Sequence, residues 1–248
     1  MIRPTTSQLP LAVVTGASGA LGAAIHTQLL DQGWYVVATY RTHQPSNPAD
    51  TTRTTWVHFD TGERNGGDQL RQAVDLYTGE LRAVFACIGA PSSKTVVSDT
   101  TTEEFEHVFH ANVMSLVHTW HALAPRARSD GSSLLALGSD AGRAARSGNG
   151  PYTAAKAALE ALVVTLAKEE LTFGVRANLL APSLIDSPLA QHVMRLKGVT
   201  DPDSYYQQLP WGRPLSLSEV AQVCIDINTA AHWSYATGQV YPLQVAAA

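Results

Sequence analysis

Residues 11–22 read Leu-Ala-Val-Val-Thr-Gly-Ala-Ser-Gly-Ala-Leu-Gly, and this stretch decides the fold. Leu11–Thr15 is a short apolar run stopped by glycine. Ala20–Gln32 then carries apolar residues at helical spacing, with Gly33 placed to cap its C-terminus. A strand, a glycine-rich turn and a helix therefore follow one another directly. Glycines let the backbone turn tightly and approach a bound group closely, and a helix N-terminus offers unpaired N–H groups and partial positive charge to an anion. Gly16, Ser18, Gly19, Leu21 and Gly22 are thus candidates to cradle a pyrophosphate. Tight strand-to-helix turns use glycine for structural reasons too, so the motif alone leaves both readings open.

Working outward, apolar β-rich runs alternate with helical patterns along the chain. Tyr35–Tyr40, Trp56–Asp60, Ala83–Ile88, Ser132–Leu137 and Arg176–Ala181 read as strands, and Gly238–Pro242 as a last one. Helices are expected around Gln69–Tyr77, over Thr101–Leu123, over Tyr152–Phe173 behind Pro151, and over Ser218–Ala230. Residues 183–214 hold several prolines and mixed polarity, and are read as a loop-rich substrate lid with one short helix. Strands apolar on both faces and separated by helices imply a parallel sheet covered on both sides. With no repeat or linker, the expectation is α/β: one Rossmann-like doubly wound domain over residues 1–248.

Composition narrows the function. Lys plus Arg total 17 against 21 for Asp plus Glu, a formal charge of −4 with no basic run, which argues against nucleic-acid binding. Only 15% of residues are charged, below the ~25% of typical domains, leaving surface for contact between subunits. Cys87 and Cys224 lie far apart, excluding a disulfide scaffold or a cysteine zinc site. The apolar stretch ending at Gly16 is too short for a secretory signal core, and no run approaches the ~20 residues that span a bilayer. The expectation is a soluble, cytoplasmic protein without a metal.

Two further segments carry chemistry. After the second strand comes Tyr40-Arg41-Thr42-His43, with no carboxylate to hold the ribose 2′-hydroxyl of NAD. Arg41 and the hydroxyl of Thr42 suit the 2′-phosphate of NADP, although an arginine after a strand is also an ordinary solvated residue. Tyr152-Thr153-Ala154-Ala155-Lys156 places a phenol and an ammonium on one helix face. A nearby cation stabilises phenolate, which is expected to lower the tyrosine pKa from ~10 toward working pH. Ser139 ends an apolar strand at the carboxyl edge of the sheet, where open α/β folds bind ligands.

With these motifs in order, the chain resembles the short-chain dehydrogenase/reductase family, in its compact single-domain branch, from Leu11 to about Tyr241. The resemblance implies a Ser139–Tyr152–Lys156 core assisted by Asn112 of His110-Ala111-Asn112-Val113. Arg176-Ala177-Asn178 before Pro182 and Ala236-Thr237-Gly238-Gln239 also match. It further implies that Asp60, with Thr61 beside it, contacts adenine; that Ile88 and Gly89 lie along the ribose; and that the Pro182–Ser187 segment, with Ile185, borders the nicotinamide, Ser187 reaching its carboxamide. Three departures stand out. The loop spacing TGxxGxxG resembles the extended branch; Ala86-Cys87-Ile88-Gly89 replaces Asn-Asn-Ala-Gly; and Tyr241-Pro242-Leu243-Gln244 replaces the usual Asp-Gly-Gly.

The implied activity is NADP(H)-dependent reduction of a small-molecule ketone or aldehyde, reversibly, by a homodimer or homotetramer associated through the two long helices. Alternatives are an NADP(H)-binding sensor or scaffold with little turnover, and an epimerase- or dehydratase-like enzyme. His107, His110, His118 and His121 share one helix but lack an accompanying carboxylate or cysteine motif, and are read as polar or interface residues. Arg143 and Arg146 are loop-surface residues or partners of an acidic substrate group. Tyr205, Tyr206 and Trp211 line a lid or anchor a loop, Asp140 is read as a turn cap, and Cys87 as a buried small hydrophobe.

Overall fold

Seven strands, all parallel, form one sheet in the order β3-β2-β1-β4-β5-β6-β7 in a computed structural model that describes residues 8–45, 52–63, 65–196 and 198–245. They are β1 (Leu11–Thr15), β2 (Tyr35–Tyr40), β3 (Thr54–His58), β4 (Leu81–Ala86), β5 (Ser133–Leu137), β6 (Arg176–Pro182) and β7 (Val240–Leu243). The chain winds outward from β1 to β3, then returns to place β4 on the other side of β1. At that reversal Thr15 pairs with Ala86, and Cys87 N donates to Thr15 O at 3.0 Å. Carboxyl ends of strands flanking such a switch point form the ligand crevice of open α/β sheets. The reading of residues 1–7 lies outside the described residues.

Strand periodicity builds two cores. In β1, Leu11 and Val13 face the cluster covered by α2 (Gly66–Leu76), α4 (Ser115–Asp130) and α6 (Gly150–Glu169). Ala12 and Val14 face the cluster covered by α1 (Ala20–Asp31) and α9 (Leu217–Thr229). Successive strand side chains point to opposite faces, so an unbroken apolar run needs both layers. No helix among the described residues is long and apolar enough to cross a membrane.

Several boundaries differ from the sequence reading. The third strand starts at Thr54 and stops at His58, because pairing runs from Val36↔Thr54 to Tyr40↔His58, and the last strand spans Val240–Leu243. The first long helix is α3 (Thr102–Phe109), a π-helical turn over His110–Met114 and α4, continuing through Pro125 to Asp130. The second ends at Glu169, and a separate turn over Leu171–Phe173 leads to Gly174 at φ 71°. Residues 183–214 contain two helices, α7 (Pro188–Leu196) and α8 (Pro202–Gln207), rather than one; α5 (Ala141–Ala144) is a short turn after β5. Both proline-led helices have their proline in the first turn, where its missing N–H costs nothing.

Arg176-Ala177-Asn178 and residues 236–239 form a structural clasp. Asn178 Nδ2 donates to Ala236 O at 2.9 Å, Gln239 N donates to Asn178 Oδ1 at 3.0 Å, and Ala177 N donates to Thr237 Oγ1 at 3.1 Å. These bonds hold the connection into β7 and so the far wall of the crevice.

Candidate active site

A cavity of about 1460 Å³ opens over the carboxyl ends of β1, β4, β5 and β6. Small-molecule pockets commonly run roughly 300–1,000 Å³, so this one has room for a dinucleotide and a second molecule. One end is the glycine loop. Gly16 stands at φ 74°, a left-handed conformation that favours glycine, and a Cβ there would lie 3.1 Å from both the Cys87 carbonyl carbon and Ile88 Cγ1. Gly16 N donates to Thr39 Oγ1 at 2.9 Å, which fixes the turn to β2. Gly19 is the N-cap of α1 and no side chain caps that end, so the first-turn amides face the cavity without a side-chain acceptor.

The opposite wall is built by β5, the π turn and α6. Ser139 follows β5, and its Oγ accepts from Ala141 N at 3.2 Å and donates to Asp140 Oδ1 at 3.3 Å. Tyr152 and Lys156 project from the first turns of α6, with Lys156 Nζ 5.5 Å from the Tyr152 ring centroid. Lys156 is 4% exposed and donates to Leu137 O at 2.9 Å, so the strand end fixes the ammonium. Burial lowers the Lys156 ammonium to about 8, with nearby Cys87 opposing that shift.

The tyrosine departs from expectation. Burial pushes the Tyr152 phenol up to about 12; its hydrogen bond with Ser139 pulls the other way, and the charge of Asp140 adds to the rise. Desolvation of a phenolate in this enclosed wall outweighs the Ser139 hydrogen bond, so the phenol is a protonated donor at neutral pH.

Asn112 sits inside the π turn. Its Nδ2 donates to Val108 O at 2.8 Å, the carbonyl four residues back, and to Ala90 O at 2.9 Å. A π turn displaces the usual i→i−4 bonding, and the side chain takes over that carbonyl. Asn112 Oδ1 is buried and has no hydrogen-bond partner among the described residues. It lies near Lys156 across Gly89: a Cβ on Gly89 would lie 2.7 Å from Asn112 Oδ1 and 3.5 Å from Lys156 Nζ.

Of the residues expected from sequence, Gly16, Ser18, Gly19, Leu21, Gly22, Ile88, Gly89, Asn112, Ser139, Tyr152, Lys156, Pro182, Ile185 and Ser187 line this one cavity. Ser187 Oγ also accepts from Ala190 N at 3.2 Å, capping α7. Tyr40, Arg41, Thr42, Asp60 and Thr61 do not line it; they lie at and beyond the carboxyl ends of β2 and β3. Arg41 is exposed there, and Asp60 Oδ1 accepts from Gly62 N at 2.9 Å within a turn.

The other side chains singled out above, Asp140, Arg143, Arg146 and Cys87, also line the cavity. Asp140 makes no cap bond to α5; its Oδ2 accepts from Arg146 Nη2 at 2.6 Å. Arg143 Nε donates to Glu160 Oε2 at 3.0 Å, so both arginines hold protein carboxylates while lining the cavity. Cys87 packs, half-buried, against the core covered by α1 and α9 and also lines the cavity, and burial pushes its thiol up to about 12 against the Lys156 charge. Lys94 and Asn149 also line the cavity and no sequence motif pointed to them.

A family model described as enoyl-(acyl carrier protein) reductase matches residues 16–243. The chain belongs to the short-chain dehydrogenase/reductase family. Carbonyl reductase family member 4 of Danio rerio is 25% identical over 234 residues, 93% of this chain and 94% of that relative. Among solved structures, a 3-ketoacyl-(acyl-carrier-protein) reductase from Brucella melitensis complexed with NADH superposes with TM-score 0.82 at 19% identity, covering 96% of this chain and 97% of the other. ElxO with NADP bound gives 0.83 at 16% identity, covering 95% and 97%. At these identities the two structures show the shared fold. As a member of the short-chain dehydrogenase/reductase family, the chain is an oxidoreductase.

Proposed function

We propose that this short-chain dehydrogenase/reductase uses NADP(H) to reduce a small-molecule ketone or aldehyde to an alcohol, reversibly. The observation that carries the reading is the convergence of Asn112, Ser139, Tyr152 and Lys156 on one wall of the cavity whose other end is the glycine loop. The residues fit a nicotinamide dinucleotide. The uncapped N-terminus of α1 suits a pyrophosphate, and Gly89 keeps clear the space between Asn112 and Lys156 that any side chain would fill. Arg41, with no acidic residue beside it, suits a 2′-phosphate.

The bound cofactor supplies a hydride to the carbonyl carbon. Ser139 Oγ donates to the carbonyl oxygen and holds it beside the phenol, an orientation effect. Tyr152 gives its proton to that oxygen, and its raised pKa keeps the proton available at neutral pH. Lys156, anchored by Leu137 O, supplies positive charge beside the phenol and donors for ribose hydroxyls. Asn112 Oδ1, buried without a partner among the described residues, is the acceptor for a water that returns a proton. The segment carrying α7 and α8, whose residues line the cavity, serves as the lid. In the same reading subunits associate through α4 and α6.

NADPH oxidation against a panel of ketones and aldehydes tests this. Turnover with carbonyl substrates supports it, and a folded sample that binds NADPH yet reduces none of them overturns it in favour of a binding protein.

A further inference from the structure

The cavity lining is lopsided in charge. The charged residues among the described lining are Lys94, Asp140, Arg143, Arg146, Lys156 and Arg213, five basic and one acidic, in a chain whose net charge is −4. Arg213 is held by Glu219 and Lys156 belongs to the catalytic wall, which leaves Lys94, Arg143 and Arg146 grouped around Asp140. In the Arg146–Asp140 pair the arginine side chain is 54% exposed and the carboxylate 13%; in Arg143–Glu160 the values are 53% and 14%. Glu160 stays out of the cavity lining while Arg143 is in it, and Asp140 lines the cavity beside Arg146 with the less exposed side chain of the pair. Arg146 spends one donor, Nη2, on Asp140, out of the five that a guanidinium carries.

Lys94 reaches the same place from another loop. Its Nζ donates to Asn149 Oδ1 at 2.6 Å, and a Cβ on Gly148 would lie 2.8 Å from Lys94 O, so segments 94 and 146–149 pack directly together. The backbone is left-handed at Lys94 and one residue before Arg146. Lys94 has φ 72° and Ala145, next to Arg146, has φ 44°, two of the three non-glycine residues in the left-handed region among the described residues. Such strain persists where surrounding structure imposes it, and clusters at ligand clamps. Asp140 accepts from Ser139 Oγ through Oδ1 and from Arg146 Nη2 through Oδ2, so one carboxylate links the arginine to the carbonyl-orienting hydroxyl.

We propose that Arg146 and Lys94, with Arg143 beside them, form a receptor for an anionic group on the substrate, a carboxylate or a phosphate carried near the reacting carbonyl. This rests on the reductase reading and names its substrate class. The carbonyl end meets Ser139 and Tyr152, while the anion takes the remaining guanidinium donors and the Lys94 ammonium. Charge-assisted bonds of this kind are the stronger class, and the arginine fork suits both oxyanions.

The test uses matched probes that differ in charge: levulinate against methyl levulinate, and hydroxyacetone phosphate against hydroxyacetone. Binding to the NADPH-loaded protein is followed by calorimetry and turnover by NADPH oxidation. The inference expects at least one anion of the two pairs to bind about tenfold or more tightly than its neutral partner. That preference should shrink with added salt and collapse in Arg146→Met and Lys94→Met, with Arg146→Lys retaining part of it. The arm that wins distinguishes carboxylate from phosphate. Equal binding of charged and neutral probes, no measurable binding of either anion, or a preference untouched by both methionine variants overturns it. Anion-selective binding without turnover of any probe supports the receptor and counts against the reductase reading.

Discussion

At the scale of single residues, burial dominates the titration of the catalytic wall and moves a phenol and an ammonium in opposite directions. At Tyr152 desolvation wins and the phenol rises to about 12, so the proton needed for carbonyl reduction stays in place. Lys156 is lowered to about 8 by the same burial, so its ammonium is complete below that value and is lost as pH rises through it. Reductive kcat/KM is therefore expected to fall as pH rises through about 8 while the phenol stays protonated; a profile flat across that range in a substrate-saturation series would contradict the assignment. Arg41 lies beyond the cavity wall, exposed at the end of β2. Arg41→Ala should weaken NADPH binding about tenfold or more and NADH binding far less, measured by titration; equal losses would remove Arg41 from cofactor choice. The pair Tyr152 and Lys156 was legible because four residues make one helix turn, and Ser139 because a strand end locates the crevice. Lys94 was not legible, since a left-handed backbone and contact with Gly148 bring it to the site, and neither leaves a mark in sequence spacing.

At the scale of elements, the glycine loop and the π turn set the geometry. A Cβ on Gly22 would collide with Gly16 O and come within 2.9 Å of Ala17 Cα, so the helix can start this close to the loop only with glycine there. Gly22→Ala should displace the loop and weaken NADPH binding at least tenfold while leaving a folded chain; unchanged affinity by titration would show that the loop tolerates the shift. The altered glycine spacing was visible in the sequence, and the structure shows it still gives a tight turn into an uncapped helix. The π turn at His110–Met114 was not visible, because apolar residues on either side keep the ordinary helical period and the extra residue only widens one turn. The two helices in residues 183–214 do carry start signals in the sequence. Pro188 and Pro202 sit in first turns, and Asp201 Oδ1 accepts from Ser204 N at 3.1 Å as a cap.

At the scale of the whole molecule, alternation of apolar strands and helices was enough to fix a doubly wound parallel sheet, since few topologies bury both faces of such strands. What ties the helices of one layer together was less readable. Glu170, 1% exposed at the end of α6, accepts from Trp120 Nε1 at 2.9 Å and from Arg128 Nε at 2.8 Å, joining α6 to α4. Those bonds hold its carboxyl below the usual range. The pair's stability is therefore present above the ordinary glutamate value of about 4.3 and is lost as pH falls through the lower folded value. Glu170→Ala should cost about 2 kcal/mol at neutral pH in denaturant unfolding, and should flatten the acid limb of the stability curve; an unchanged limb would place acid sensitivity elsewhere. The molecule's central act in this account is transfer of the Tyr152 proton to a carbonyl oxygen beside the cofactor. The most direct measurement is NADPH oxidation by wild type and Tyr152→Phe with the same ketone, alongside NADPH titration of both. The account predicts a loss of about 100-fold or more in kcat/KM with cofactor affinity changed less than a few-fold; full turnover by the phenylalanine variant would contradict it.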